Sequence, residues 1–383
     1  MEVFSLSDIF FILVIFQLLF ISIFLFIHDK GKRTSNRLLG FFFLTICLNL
    51  TDNFLLIKSF YFAYPSFALW SVWMILLLGP LLFLYTKSIL QKDFLFSIRN
   101  IVHFAPFACL FIITEAIFLY QPRSVKLTML HNIVLRRLPP YSYWAPGIMF
   151  LQYYFYIAAS LRLIQQFRKL AKEQFSNQQR TNLSWLTSTI IIFTVCMTIS
   201  TLNAFIGLTP LGKYFYLIFI ILIFMLFFFI NRVLLKGLQN PGIFAVLEED
   251  GHGRAGLQHK YAQSLLKPSE NKIFLERLEL HMNKNKPYLE PDLTLDQLAG
   301  QLETRPKILS QAINELLKQN FFDFINRHRI EEAKRLLTNP DDKKITVQEV
   351  LFDVGFNSKS SFNTLFKKHT GLTPTEFKRK HMK

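Results

Sequence analysis

Seven runs of about twenty apolar residues fill most of the first 236 positions, at about 8–27, 38–57, 67–86, 101–120, 144–166, 184–207 and 214–235. A helix needs roughly 20 apolar residues to cross the hydrocarbon core of a bilayer. In lipid every backbone polar group must be satisfied internally, and runs of this length select helices rather than barrel strands. Residues 1–236 are therefore expected to form a seven-helix transmembrane bundle. Phe is concentrated there, with 33 of the chain's 43. A hydrophobic fraction of 51% with only 18% charged residues excludes disordered, collagen-like and disulfide-stapled chains. The first run is not a signal peptide: Glu2 and Asp8 stand where a basic leader belongs, and no small-residue cleavage site comes after it.

The net charge of +17 divides into +13 over 1–236, −1 over 237–270 and +5 over 271–383. Most of the excess lies in loops between apolar runs, so it sets orientation before it suggests nucleic acid. Alternate loops at 28–37, 87–100, 162–183 and 231–236 carry 14 Lys and Arg, against 6 in those at 58–66, 121–143 and 208–213. The N-terminus is expected outside and the C-terminal third in the cytoplasm. Cys47, Cys109 and Cys196 lie within apolar runs and read as buried free thiols, with no disulfide or zinc pattern.

Polar groups inside spans are candidates for function. Asn49, Asp52 and Asn53 share one face of the second run, Glu115 lies at similar depth in the fourth, and Trp70 and Trp73 open the third. Two arrangements fit: acids reaching separately into an outer aromatic belt, or an outward-facing ligand pocket lined by Asn49, Asp52, Asn53, Trp70, Trp73 and Glu115. The sequon Asn49-Leu50-Thr51 is inside a span and reads as chance.

Residues 237–270 read as a flexible cytoplasmic linker, with Asn240-Pro241-Gly242 and Glu248-Glu249-Asp250. Gly251 to Gly256 spells GxGxxG, but a dinucleotide site needs a strand before it and a helix after it, and three acids before it repel a pyrophosphate.

Residues 271–383 contain a repeat. Leu293 to Leu302 and Ile345 to Val354 share an apolar pattern at an offset of 52, each with a capping box, Thr294 with Gln297 and Thr346 with Glu349. Each short helix is followed by a turn and a second helix. Leu309, Ala312, Ile313 and Leu316 form the predicted buried face of the first copy, and Phe362, Leu365, Phe366 and His369 that of the second. The opposite faces carry Lys307, Ser310, Gln311 and Asn314, and Ser360, Asn363, Thr364 and Lys367, groups that reach base edges and phosphates. Lys359 and Lys368, on the same second helix, complete the candidate DNA-binding set. A capped helix, a tight turn and a helix with a polar outer face make a helix-turn-helix. An amphipathic segment from Phe321 to Leu337 joins the two.

Arg329-Ile330-Glu331-Glu332-Ala333-Lys334-Arg335-Leu336-Leu337 resembles the linker helix of AraC/XylS-type regulators. Val354-Gly355-Phe356-Asn357-Ser358-Lys359-Ser360-Ser361-Phe362, with Phe366-Lys367-Lys368-His369-Thr370-Gly371-Leu372-Thr373-Pro374, resembles the family's second helix-turn-helix and its signature tail. The resemblance covers about 275–381 and implies sequence-specific DNA binding and transcriptional control. It implies base-reading positions at Lys307, Ser310, Gln311, Ser360, Asn363 and Thr364. The chain departs from the family in having Arg305 where Ser usually opens the first reading helix, and Lys318 where Gly often stands after it.

The expected fold is all-α: a seven-helix transmembrane bundle (1–236), a linker (237–270) and an all-helical DNA-binding domain with two helix-turn-helix units (271–383). The expected setting is a bacterial inner membrane. The expected partners are double-stranded DNA, the bilayer and an unidentified small ligand or membrane signal, with homodimerisation left open. No catalytic residue, metal set or cofactor is implied. The rival is a small-molecule transporter or membrane enzyme with an accessory DNA-binding tail. No nucleophile elbow, HExxH, Walker loop or histidine-kinase core supports the enzyme, and no internal repeat supports the transporter.

Overall fold

The computed structural model describes residues 5–28, 32–91, 94–135, 144–177, 183–207, 209–239, 268–339 and 345–381. The Gly-rich stretch and nearly all of the expected linker lie outside the described residues. The described chain is helical with no strand, and contacts divide it into two compact units: Met1–Ile164 with Ser184–Gly253, and Gln165–Leu183 with Arg254–Lys383.

Among the described residues, the first unit contains seven helical stretches long and apolar enough to cross a membrane. Their main α-helices are α1 (Leu6–Ile27), α2 (Arg33–Ile57), α3 (Ile75–Leu90, in the span Pro65–Leu90), α4 (Ala105–Tyr120, in the span Ile98–Tyr120), α5 (Trp144–Gln174), α6 (Ser184–Ile206) and α7 (Phe215–Gln239). The last turns of α5, from Gln165, belong to the second unit. Ser5 and Asp8 form a capping box that starts α1. Val14, Leu18 and Ile21 of α1, Phe42 and Phe43 of α2, and Leu82 and Leu84 of α3 are fully buried. Ile112, Ile113 and Ile117 of α4, Phe155 of α5 and Phe228 of α7 are exposed. Cys47 is buried, but Cys109 is exposed on α4, because this helix is apolar all round and hides little of itself. A further helix, Arg123–Val134, buries Leu130 against Tyr61, Ala68 and Phe118. Its Lys126, one of the four cations in the expected outer loop 121–143, is buried and donates to Ser66 Oγ (3.1 Å) and Leu119 O (3.0 Å).

The second unit contains α8 (Pro268–Asn285), α9 (Leu295–Gln301), α10 (Pro306–Gln311), α11 (Phe321–Leu337), α12 (Val347–Asp353), α13 (Lys359–Thr370) and α14 (Pro374–His381). It has two apolar cores, and α11 contributes a different face to each. Phe321, Phe324 and Ile325 join Leu278, Leu293, Leu298, Leu302, Leu309 and Ile313. Phe322, Ile330, Ala333 and Leu337 join Val350, Val354, Phe356, Phe362 and Phe366. The helical period that brings Phe321 and Ile325 to one side turns Phe322 and Ile330 to the other, so one helix spaces two helix-turn-helix cores.

Candidate nucleic-acid interface

Both units begin as the spacing predicts. Gln297 N–H donates to Thr294 Oγ1 (3.3 Å) while Thr294 N–H donates to Gln297 Oε1 (2.8 Å). Thr346 and Glu349 make the same pair at 3.1 and 2.6 Å, and these bonds hold the Glu349 carboxyl below its usual range. The turn of the second unit passes through Gly355 at φ +84°, where an added Cβ would stand 2.6 Å from Leu289 O. Ser358 then caps α13, accepting from Ser361 N–H (3.4 Å).

The second reading helix is regular. Phe362, Leu365 and Phe366 are buried, while Lys359, Ser360, Thr364, Lys367 and Lys368 are exposed and Asn363 is half-buried. His369, expected inward, is exposed, because α13 ends at Thr370 and Gly371 turns the chain away at φ +77°. Lys368 Nζ lies 3.4 Å from Asp323 Oδ1 on α11.

The first reading helix is not regular. Its α geometry stops at Gln311, and Ala312–Leu316 form a π turn. Leu309, Ala312 and Ile313 are buried as expected, but the wider turn leaves Leu316 only half-buried. Lys307 is exposed. Ser310 and Gln311, expected on an open face, are buried, which corrects that expectation of exposure. Asn314 Nδ2 donates to Ser310 Oγ (3.2 Å), and Gln311 Nε2 to Glu315 Oε2 (2.9 Å). The helix thus carries an acid, Glu315, beside its expected reading face.

A buried polar node sits where the two cores meet. Arg329, 1% exposed, donates through Nε to Tyr288 O (2.7 Å) and through Nη2 to Glu290 O (2.6 Å) and Pro291 O (3.2 Å). Its guanidinium lies over the Phe356 ring at 5.6 Å. Burial pushes its pKa down to about 10, with Asp292 pulling the other way, so it stays charged. Within this unit the segment just after α5 closes the node. Arg329 Nη2 donates to Ser176 Oγ (3.3 Å), and Asn326 Nδ2 to Ser176 O (3.1 Å). Ser176 Oγ donates to Leu293 O (2.7 Å), Asn177 Nδ2 to Asp292 Oδ1 (2.8 Å), and Phe175 forms a bridge with Thr294. No local sequence signal marks Ser176 or Asn177, which lie more than a hundred positions from these partners. Beside the node, burial pushes His328 down to about 4, with Arg327 adding to the effect.

In the first unit the candidate ligand residues are only partly brought together. Asp52 is buried and accepts from Tyr61 Oη (2.5 Å) and Ser71 Oγ (2.7 Å), and Trp70 Nε1 donates to Tyr61 Oη (3.0 Å). Asn49 Nδ2 donates to Ser71 Oγ (3.2 Å), and Asn53 Nδ2 to Asn49 O (2.7 Å). Trp73 Nε1 instead donates to Thr114 Oγ1 (2.7 Å), next to the half-buried Glu115. Two cavities lie nearby. An aromatic groove of about 490 Å³ is lined by Tyr61, Tyr64, Phe67 and Trp70, and a part-open cavity of about 140 Å³ has Asn49 in its wall. Neither acid lines either of these two.

Residues 298–380 match the family model described as a helix-turn-helix domain. An uncharacterized HTH-type transcriptional regulator of Staphylococcus aureus (strain COL) is 31% identical over 116 residues, 30% of this chain and 14% of that protein. The uncharacterized transcriptional regulatory protein YesN of Bacillus subtilis (strain 168) is 33% identical over 92 residues, 24% of each chain. The chain therefore spans less than a quarter of the length of either relative. Among solved structures, the C-terminal domain of AraT, a response regulator from Geobacillus stearothermophilus, is 28% identical, covers 31% of this chain and 91% of that one, and superposes with a TM-score of 0.26.

Proposed function

Because residues 298–380 are a DNA-binding helix-turn-helix domain of the AraC type, we propose that the whole chain is a membrane-bound, sequence-specific transcription regulator controlled by a signal sensed in its seven-helix part. The observation that carries this reading is the union, in one chain, of that domain with seven apolar helices whose outward Ile and Phe side chains are exposed. Apolar faces of this extent are stable against acyl chains and costly in water. The Lys and Arg balance of the loops favours an inner-membrane protein with the N-terminus outside and the helix-turn-helix domain at the chromosome.

In this reading 1–236 is the membrane domain, 237–270 the tether and 271–383 the DNA-binding domain. Lys359, Ser360, Asn363, Thr364, Lys367 and Lys368 face DNA from α13, and Lys307, Ser310, Gln311 and Asn314 from the first unit. Engaging Ser310 and Gln311 requires the first helix-turn-helix to open, which makes it the natural point of control. The Ser176–Arg329 node supports a route for the signal, because the segment that follows α5 in the chain is bonded to the helix between the two readers. Asn49, Asp52, Asn53, Trp70, Trp73 and Glu115 are the proposed place where the signal is received. A ligand that reaches Asp52 there competes with Tyr61 and Ser71.

Selection of binding sites from random duplexes by fragment 268–383 tests the DNA half. The expected product is one motif with two half-sites on one face of the duplex, roughly 34 Å apart. Asn363→Ala should relax preference at one position by about 1–3 kcal/mol. An unchanged preference in that variant refutes the assigned face. Reporter fusions after residues 62, 130 and 211 should read outside and those after 33, 95 and 175 inside, and a C-terminal third found outside the cell ends the whole reading.

A further inference from the structure

The two faces of α8 have different surroundings. Leu278 and Met282 are buried in the first apolar core of the second unit. On the opposite face Ile273 and Leu280 are 69% and 67% exposed, seven residues apart and therefore in line along the helix. Among the described residues of this unit, the one other large apolar side chain left exposed is Phe352 on α12. Single exposed apolar residues are ordinary, whereas two in line make a stripe.

Charges flank the stripe in order. At 3.6 residues per turn, Glu276 stands about 60° to one side of Ile273 and Arg277 about 40° to the other. Both side chains are exposed. Their ion pairs inside the chain are long, Glu276 with Lys272 at 3.9 Å and Arg277 with Glu303 at 4.0 Å, and exposed pairs of this kind contribute little.

The pattern is complementary to itself in one orientation. When two copies of α8 lie side by side and parallel about a twofold axis, Ile273 meets Ile273 of the second copy and Leu280 meets Leu280. The same axis carries the Glu276 flank of each helix onto the Arg277 flank of the other, which gives two ion pairs. In an antiparallel pair each flank meets its own copy, so Glu276 faces Glu276 and Arg277 faces Arg277. Lys284, the next position on the stripe, meets its own copy in the parallel pair, so the contact ends there. Two turns of helix fall well below the roughly 1,200–2,000 Å² of a stable complex, so the pairing is reversible.

We propose that α8 is a self-association surface, which pairs in parallel with α8 of a second copy of this chain about a twofold axis. The proposal goes beyond the regulatory reading and depends neither on DNA binding nor on reception of a signal, so either can fail alone.

The test uses the full chain in lipid vesicles under a mild oxidant, read as the yield of disulfide-linked dimer. Ile273→Cys lies at the axis and should link to itself. Lys272→Cys, about 100° round the helix, should give no more dimer than the parent, whose Cys47, Cys109 and Cys196 all lie in the first unit. With Ile273→Cys in place, Glu276→Arg or Arg277→Glu alone should lower the yield about three-fold or more, through the loss of both ion pairs. The two reversals together should restore it to within about two-fold, because the pairs between copies re-form with their signs exchanged. The contacts to Lys272 and Glu303 stay repulsive in that double variant, so they cannot be the source of rescue. An Ile273→Cys yield no higher than that of Lys272→Cys overturns the proposal, and so does a double variant that stays low. A mixture of Ile273→Cys and Leu280→Cys chains that link to each other more than to themselves shows antiparallel pairing and overturns it as well.

Discussion

Replacing Ser176 by Ala is the sharpest probe of the polar node, because it removes one small hydroxyl and leaves every backbone bond in place. That hydroxyl donates to Leu293 O at 2.7 Å and accepts from Arg329 at 3.3 Å. A neutral hydrogen bond contributes about 0.5–1.5 kcal/mol and one to a charged group about 1.5–3 kcal/mol, the long contact lying at the weak end. Arg329 keeps Tyr288, Glu290 and Pro291 as acceptors, so it is not left bare. The loss should therefore be about 1–3 kcal/mol, felt as local opening of the 175–177 segment rather than global unfolding. In hydrogen exchange on the full chain in nanodiscs, amide protection there should fall roughly 5- to 150-fold. Asn326→Ala, which removes the bond to Ser176 O (3.1 Å), should act on the same amides, and the two losses should not add. Protection unchanged within about two-fold in both variants would refute the reasoning. If the node carries the signal, Ser176→Ala alters reporter output at an unchanged protein level.

Two further outcomes are expected in urea melts of fragment 268–383. Gly355→Ala puts a Cβ 2.6 Å from Leu289 O and 2.9 Å from Tyr288 O at φ +84°, and both obstacles are backbone, so about 2–4 kcal/mol should be lost. The folded-state His328 ring is a weaker base than the unfolded one, its pKa held at about 4 by burial. As pH falls the unfolded chain takes up that proton first. The stability present above about pH 6.5 should therefore decline by about 2–3 kcal/mol down to pH 4. The charge of Glu331 pulls that pKa upward and limits the loss, and His328→Phe should flatten that part of the profile.

The parts of the molecule that were legible in the sequence are those governed by short-range rules. Runs of twenty apolar residues read directly as seven helices, because a helix satisfies its backbone groups within the run itself. The capping boxes at Thr294 and Thr346 fix two helix starts within four residues each. The second reading helix keeps a plain 3.6-residue period over twelve residues with a glycine at its end, so its buried and polar faces separate as predicted up to Phe366, and only His369, in the last turn, is exposed against expectation. The first fails on two counts: six residues of α-helix are too few to hold a register, and the π turn carries Leu316 away from the expected buried face, while Ala312 and Ile313 keep theirs. Burial of Ser310 and Gln311 depends on the groups that pack over them, which periodicity does not encode. Asp52 was visible as an acid in a span, but its bonds to Tyr61 and Ser71 need the chain to reverse just past α2, where Ser59 takes φ +59°. The Ser176 contacts, 117 and 153 positions from Leu293 and Arg329, are products of tertiary structure alone.

The ends of the two reading helices give a final test of how local geometry was kept while the residue changed. Gly371 closes α13 at φ +77°, its N–H donating to Lys367 O at 2.9 Å. The first helix-turn-helix ends in the same left-handed region with Lys318 at φ +54°, just beyond the π turn. A side chain in that region costs about 1–2 kcal/mol, whereas glycine adopts it freely but loses more backbone entropy on folding, about 0.5–1 kcal/mol. Lys318→Gly should therefore stabilise fragment 268–383 by about 0.5–1 kcal/mol. Gly371→Ala, with open space around the new Cβ, should cost about 1 kcal/mol through its backbone alone. Lys318→Ala keeps the strain and removes the charge, so it should leave stability near the parent's. Urea midpoints of the three variants decide the matter. If Lys318→Gly lowers the midpoint, the lysine stem contributes more than the strain it carries, and the first unit is held by its side chains rather than by the geometry of its turn.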